Sequence, residues 1–420
     1  MASFIIGNLI LGAVPLLAFI GLFLLARSMW LAWRQFLFDS KLEWRVFEIR
    51  IPREVTQTAR AMEQFLLAIS TMGEQAGTFV GKWKEGSHSI PIVSFEMASL
   101  NGQVHFFMRC EKGRSELIRS AFLSYYPTVE VVEVDDYMKS MPPTLADLKA
   151  QGNRFFGTDI QLNRESAYPI KSYQEFLSPN EDDVFDPMSV FLEVFGKMRA
   201  EESLIVQINV SPIDGKAWVE SGGEILKKLK EGEKKEGEDA PQFRFRTPGE
   251  ELVLKAVEKN LSKPAFECVV RLAYFAPTAI FSDGFPRRGV LGAFNQYAAN
   301  DMNSFRPNFD TFSYADLWHY PFIFPSMRAK LRSQQLWQHL ISREMGTDVY
   351  GGKMTLTHPL RPMTIAPCVL NTESLATLFH PPTKVVVTAP FTARVESKKA
   401  GAPSGLPIFA DEDVLKDYQA

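Results

Sequence analysis

Residues 93–110 read VSFEMASLNGQVHFFMRC, and this stretch decides the fold of the first part of the chain. Apolar side chains occupy every second position in two runs, Val93, Phe95 and Met97, then Val104, Phe106 and Met108. That period is typical of strands that are buried on one face. Asn101-Gly102 lies between the runs and favours a type I′ turn, because both central positions of that turn need a positive φ. The stretch therefore predicts a β-hairpin.

The segments on either side of the hairpin complete a small domain. Residues 44–51 read as a strand whose alternation changes phase between Val46 and Phe47, which suggests a bulge. Residues 55–72 and 117–125 carry apolar stripes at helical spacing, and residues 129–134 read as a last strand. The order β-α-β-β-α-β predicts a ferredoxin-like domain over residues 41–140.

A second module with mixed helices and strands follows at residues 150–300. Apolar alternation predicts strands near 156–162, 204–210 and 266–274, and helical stripes predict helices between and after them. This order is compatible with a second ferredoxin-like module, among other topologies. Residues 301–420 form a C-terminal segment that is first rich in aromatic residues and then rich in proline. The fold class predicted for the body is α+β, with a second α+β sandwich module after the ferredoxin-like one.

The N-terminus predicts a transmembrane helix. Residues 4–26 form an uncharged run that is long enough to cross about 30 Å of hydrocarbon. A cleaved signal peptide needs a basic start, and no Lys or Arg precedes Arg27. Arg27, Trp30, Trp33 and Arg34 then suit the membrane interface. Residues 1–40 are therefore predicted to be a single-pass anchor in the cytoplasmic (inner) membrane, with the lipid bilayer as a partner and the C-terminal body in the cytoplasm.

Charge and cysteine content exclude some classes of protein. The 420 residues include 46 Lys and Arg against 49 Asp and Glu, so the formal net charge is −3. A protein coated with basic charge is thereby excluded, and any contact with nucleic acid must come from a local patch. Cys110, Cys268 and Cys368 lie far apart in sequence, which excludes a disulfide scaffold and favours a reducing compartment.

The sequence lacks the common catalytic motifs, and we therefore predict no enzymatic activity, no cofactor and no metal. The nearest approach to a phosphate-binding loop, residues 77–83, is one residue short and ends in Trp83. The sequence contains no GxSxG and no HExxH, and no two histidines are separated by four positions. The polar residues are therefore expected to serve structure and binding.

One basic cluster is a candidate for contact with phosphate or nucleic acid. Arg328, Lys330 and Arg332 lie within five residues on a predicted helix. Such side chains can position a nucleic acid through its phosphates without reading its bases. The simpler interpretation is a solvated helix face, and only a weak contact with DNA is expected.

Several stretches together resemble the membrane-anchored region of type IV secretion ATPases, the DNA-translocating relatives of conjugative coupling proteins in ultra-small bacteria. The stretches are FEIRIPRE at 47–54, residues 93–110, YPTVEVVEVDDY at 126–137, LAYFAP at 272–277, GAFNQYAANDMNSFRPN at 292–308, VLNTESLATLFHPPT at 369–383 and ARVESKKAGAPSGLP at 393–407. In those ATPases a P-loop motor follows the last stretch, whereas this sequence ends at Ala420. The resemblance implies an accessory region without the motor, and it supplies no active-site residues.

The sequence thus favours a non-enzymatic, membrane-anchored component of a type IV secretion or conjugation-like export assembly. It would dock a translocating ATPase supplied in trans, or its cargo, and assemble as a homo-oligomer. The alternative is a membrane-tethered scaffold or sensor module that is unrelated to secretion.

Overall fold

One antiparallel sheet of nine strands forms the centre of the protein. The computed structural model describes residues 2–52, 57–72, 79–86, 93–176, 185–231, 247–299, 301–314, 324–345 and 367–383. The strands are β1 (Trp44–Arg50), β2 (Val93–Leu100), β3 (Gln103–Glu111), β4 (Glu130–Val134), β5 (Asn153–Leu162), β6 (Ser203–Pro212), β7 (Ala265–Pro277), β8 (Phe305–Pro307) and β9 (Cys368–Asn371). The α+β class predicted for the body is therefore confirmed.

The sheet consists of two halves with the same topology. Its order is β4-β1-β3-β2-β6-β7-β5-β8, and β9 pairs with the beginning of β7. Numbered within each half, both sets of four strands follow the order 4-1-3-2 that belongs to the β-α-β-β-α-β arrangement. The second strands of the halves, β2 and β6, pair at the centre from Val93↔Val210 to Ser99↔Leu204. The second module is thus ferredoxin-like in its strand order, and one continuous sheet joins it to the first.

The predicted hairpin is confirmed, and the predicted bulge is wrong. Asn101 and Gly102 have φ values of 52° and 74°, and the ladder of β2 and β3 ends at Leu100↔Gln103. In β1 the pairing with β3 continues without a break from Trp44↔Glu111 to Glu48↔Phe107. The change of phase has another cause, because Val46 packs on one face of the sheet and Phe47 on the other.

Helices cover both faces of the sheet. They are α1 (Ala2–Asp39), α2 (Ala59–Ile69), α3 (Phe79–Lys84), α4 (Lys112–Tyr125), α5 (Leu145–Ala150), α6 (Met188–Gly196), α7 (Gly215–Glu231), α8 (Pro248–Leu261), α9 (Gly284–Asn295), α10 (Pro325–Ser342) and α11 (Thr372–Leu378). Apolar side chains of α2, α4, α6, α9 and α11 form one core with the sheet. Those of α5 and α10 form a second core on the opposite face, and α7 and α8 pack on each other.

A C-terminal segment, residues 367–383, is inserted into the first core. It contains β9 and α11, and residues 370–382 are all buried. The ring of Phe379 stacks on Phe95 at a centroid distance of 4.9 Å, so the segment lies over the central strand β2. Asn371 caps α11 by accepting a hydrogen bond from Ser374 N at 2.7 Å. Of the predicted aromatic- and proline-rich segment, the stretch at 393–407 lies outside the described residues.

The prediction of a transmembrane anchor is wrong. In the part of the chain that the structure describes, no helix is both long enough and apolar enough to span a bilayer. Helix α1 is 38 residues long and carries Arg27, Arg34 and Asp39 in its C-terminal part. The predicted single-pass localisation and orientation are overturned by the same finding.

The C-terminal half of α1 packs against α3 instead. Trp30 Nε1 donates a hydrogen bond to Trp83 O at 3.1 Å, and the two indole rings lie 6.4 Å apart. Gly86 has a φ of 76°, and a Cβ at this position would lie 2.1 Å from Arg34 O. Glycine is therefore required where the chain leaves α3 and passes the backbone of α1.

Candidate functional site

A row of polar side chains crosses the centre of the sheet on the face covered by α10. Glu96, Gln207, Arg271 and Asp159 are neighbours on β2, β6, β7 and β5. All four are buried, although polar residues on the alternating positions of a strand usually face water. We call these four residues the polar row.

The polar row receives the C-terminal end of α10. Gln207 Nε2 donates to Leu340 O at 2.9 Å, and Arg271 donates to His339 O at 2.7 Å and to Glu344 O at 3.1 Å. The last carbonyls of a helix lack partners within the helix and carry its negative partial charge. The side chains of the sheet therefore satisfy the end of α10 and hold it in place.

Arg343 joins α10 to two carboxylates. It is the residue after α10, has a φ of 59°, and its guanidinium binds Glu96 and also Asp136, at 2.7 and 2.9 Å. Burial on its own would raise the pKa of Asp136, but Arg343 lowers it overall. The Tyr137 hydroxyl donates to Glu96 as well, and burial raises the pKa of Tyr137 well above its usual range. These residues form a closed network of charges.

Arg109 provides a second positive charge beside this network. Its guanidinium lies 3.7 Å from the centroid of the Trp44 ring, and its Nε and Nη1 atoms have no hydrogen-bond partner among the described residues. Burial, followed by repulsion from Arg343, lowers the pKa of Arg109 to about 9. Arg109 and Arg343 together balance Glu96 and Asp136. The buried positive and negative charges of this network neutralise one another. In the described part of the chain, the network therefore stabilises the fold.

A cavity of about 460 Å³ lies between α5 and α10, next to the polar row. It is lined by Thr144, Leu145, Ala146, Leu331, Gln334, Gln335, Gln338, His339 and Glu344. Burial and the nearby Arg271 lower the pKa of His339 to about 3, so the imidazole is neutral. The neutral imidazole and the glutamine amides can donate and accept hydrogen bonds in this cavity, and Glu344 adds a carboxylate to its lining.

The predicted basic cluster does not form a single exposed patch. Arg328 and Arg332 are buried, and Arg332 Nη1 donates to Phe309 O at 3.1 Å. Lys330, on the opposite side of α10, is exposed. A contact with phosphate or DNA at these residues stays a prediction, and Lys330 alone offers it an exposed charge.

Three of the four residues predicted for a membrane interface, Trp30, Trp33 and Arg34, lie together on α1, and both tryptophans are exposed. The rings of Trp30 and Trp33 lie 5.5 Å apart, and the Arg34 guanidinium lies 5.9 and 6.0 Å from their centroids. The interface role assigned to Arg27, Trp30, Trp33 and Arg34 depended on the anchor and is withdrawn with it.

Exposed apolar surface is concentrated on the preceding part of α1. We call residues 15–26 the apolar segment of α1; it carries no charged side chain. Six large apolar side chains of this segment are exposed, namely Leu16, Phe19, Ile20, Leu22, Phe23 and Leu25. At 3.6 residues per turn they cover well over half of the helix circumference, and the remaining arc carries the partly buried Leu24. A helix that is apolar on every side is normally buried, so this surface is a candidate for contact with another molecule.

The comparison with protein families finds a match for the body of the chain. Residues 35–308, about two thirds of the chain, match the family described as a domain of unknown function, DUF8128. The chain belongs to this family. The matched region begins near the end of α1 and ends just after β8, so both four-stranded halves lie within it. No curated protein matches the chain.

Proposed function

We propose that the protein is a non-enzymatic assembly component in which the apolar segment of α1 joins copies of this chain to one another. The observation that carries the proposal is the exposure of six large apolar side chains over most of the circumference of this segment. Burying one large apolar side chain contributes roughly 1.5–3 kcal/mol, and several such residues together can offset the entropy lost on association. A second copy offers the same apolar helix, and no charge within the segment opposes the contact.

The setting we propose is an export assembly of the type IV secretion or conjugation kind. Its support is the resemblance of the stretches at 47–54, 93–110, 126–137, 272–277, 292–308, 369–383 and 393–407 to the accessory region of translocating ATPases. In this setting the double ferredoxin-like body docks such an ATPase, supplied in trans, or its cargo. Assembly in copies raises the effective concentration of the body, so individually weak docking contacts suffice.

Self-association through α1 is tested with one matched pair of variants. Leu22→Lys places a charge in the apolar segment, where Leu22 is 67% exposed, and Leu252→Lys does the same on α8, where Leu252 is 64% exposed. We expect the wild type and Leu252→Lys to show the same concentration-dependent oligomers in analytical ultracentrifugation. Leu22→Lys should shift the dissociation constant upwards by about tenfold or more, because a charge would be buried in the contact.

Two results would reject this interpretation of α1. One is a wild-type protein that stays monomeric at every concentration, and the other is an equal response of the two variants. Binding of the wild type to phospholipid vesicles without any self-association would assign the apolar segment to a different partner.

Docking to an ATPase is tested by crosslinking in the native cell. A photoreactive amino acid at exposed body positions, such as Leu117 on α4, should capture a translocating ATPase, and the Leu22→Lys background should weaken that capture. Recovery of cell-wall or lipid-metabolism proteins alone would favour a scaffold unrelated to export.

A further inference from the structure

Two of the three cysteines face each other across neighbouring strands, although they are far apart in sequence. Cys268 on β7 pairs directly with Cys368 on β9 in the antiparallel ladder, and Cys368 Sγ lies 3.6 Å from Cys268 O. Both thiols are free and buried, with exposed fractions of 0% and 4%. Cys110 lies on β3 and serves as an internal comparison.

The register places the two cysteine side chains opposite each other on the same face of the sheet. Directly opposed residues point to the same face, with Cβ atoms about 4.5–5.5 Å apart, whereas a disulfide needs roughly 3.5–4.5 Å. Thr372 N donates to Pro264 O at 3.0 Å, which makes that pair hydrogen-bonded. Hydrogen-bonded pairs recur at every second position, so Cys268 and Cys368 also form one of these wider pairs. A disulfide here would draw the strands together and would be reduced easily.

The position of the pair determines what a disulfide would hold. β9 is four residues long and leads directly into α11, so it ties the buried segment 367–383 to the sheet. While β9 is paired, burial raises the pKa of Cys368 to about 12 and that of Cys268 well above its usual range. Thiolate, the reactive form, is then scarce. Oxidation therefore requires β9 to separate briefly from β7, and a short strand at the end of a ladder is suited to local opening.

We propose that Cys268 and Cys368 are a reversible redox latch that locks the segment 367–383 onto the sheet. In the open state the Cys368 thiolate attacks a low-molecular-weight disulfide, such as oxidised glutathione, and releases one thiolate from it. Before β9 pairs again, the Cys268 thiolate attacks the Cys368 sulfur and releases the second thiolate, and β9 then closes over the new disulfide. Two protein thiols thus become one disulfide, and the small disulfide is reduced to two thiols. The disulfide would thus hold β9, and with it the segment 367–383, in place on the sheet.

The test uses the full-length protein and oxidised glutathione as the probe. After oxidation and alkylation of the remaining thiols, intact mass should show the loss of two hydrogens, and peptide mapping should join Cys268 to Cys368. Cys110→Ser should behave like the wild type, whereas Cys268→Ser should stop at a mixed disulfide with glutathione. Amide hydrogen exchange over 368–378 should slow by about tenfold or more on oxidation and recover with dithiothreitol.

Three outcomes would overturn the latch. Separate modification of both cysteines without a joined peptide would show that the pair opens but does not bond. A pair that neither oxidises nor reacts with alkylating agents in the folded protein would show a permanently closed strand. A joined peptide that leaves the exchange of 368–378 unchanged would show a bond without a locking effect. Cys268→Ala and Cys368→Ala replace the serine variant if serine disturbs the core.

Discussion

Replacing Arg343 with methionine is expected to lower the free energy of unfolding by about 3–5 kcal/mol, because the change leaves two carboxylates without their partner. Arg343 and Glu96 are only 1% and 0% exposed at their side chains, and Asp136 is 15% exposed. An uncompensated buried charge costs far more than a lost surface contact. The measurement is chemical denaturation followed by circular dichroism.

A matched variant shows how much of the expected loss of stability comes from the burial of the ion pair and how much from removing any arginine. Arg45→Met removes the same side chain from β1, where Arg45 binds Glu116 at 2.9 Å and the carboxylate is largely exposed. We expect this variant to lose less than about 1 kcal/mol. Adding Glu96→Gln to Arg343→Met should recover part of the loss, because an amide is buried in place of an unpaired carboxylate. Equal effects of Arg343→Met and Arg45→Met would show that the network does not support α10.

The strands and helices of the body can be predicted from the sequence, because the spacing of apolar residues that identifies each of them lies within the element itself. The alternation in 93–110 and the turn at Asn101-Gly102 give the hairpin. The pairing of β2 with β6 does not follow, because nothing within either strand specifies a partner more than 100 residues away. The joining of two ferredoxin-like halves into one sheet is therefore a property of the tertiary structure.

The polar row shows why the buried network escapes sequence reasoning. Glu96 and Gln207 lie on the alternating positions that usually face water, and the helix that covers them comes more than 100 residues later. The sequence does indicate that the basic cluster is divided between two sides of the helix. Arg328 and Arg332 are four positions apart and share one face, while Lys330 lies on the opposite face. Only the packing of α10 shows that the shared face is the buried one.

The segment 367–383 depends on a buried ion pair whose loss we expect to be the second large effect. His380 Nδ1 lies 2.9 Å from Ala376 O, and its Nε2 lies 3.1 Å from Asp186 Oδ1. Both ring nitrogens therefore face oxygen atoms, and the Asp186 carboxylate lies against the Nε2 side of the ring. Asp186 also accepts hydrogen bonds from Met188 N at 2.8 Å and from Thr383 N and Oγ1 at 2.9 and 3.0 Å.

Asp186→Asn is expected to cost about 3–5 kcal/mol, because the change breaks the buried pair with His380 and weakens the hydrogen bonds from Met188 and Thr383. Exposed Asp147 on α5 provides the matched control, and Asp147→Asn should cost less than about 1 kcal/mol. Hydrogen exchange over 372–383 should rise in Asp186→Asn before global unfolding is seen, since this residue holds the end of the segment. A variant that unfolds like the control would show that the pair contributes little.

Acid should release the same segment. Burial alone would raise the pKa of Asp186, but His380 and the other hydrogen-bond donors bring it down to about 2. Because the unfolded chain has a carboxyl pKa near ~3.9, it binds the proton more readily than the folded protein does, and stability falls as the pH drops from about 4 to about 2. The wild type should lose about 2 kcal/mol through this group over that range. Asp186→Asn should lack that part of the pH dependence, and curves of equal slope for the two proteins between pH 4 and 2 would assign the acid sensitivity to other carboxylates.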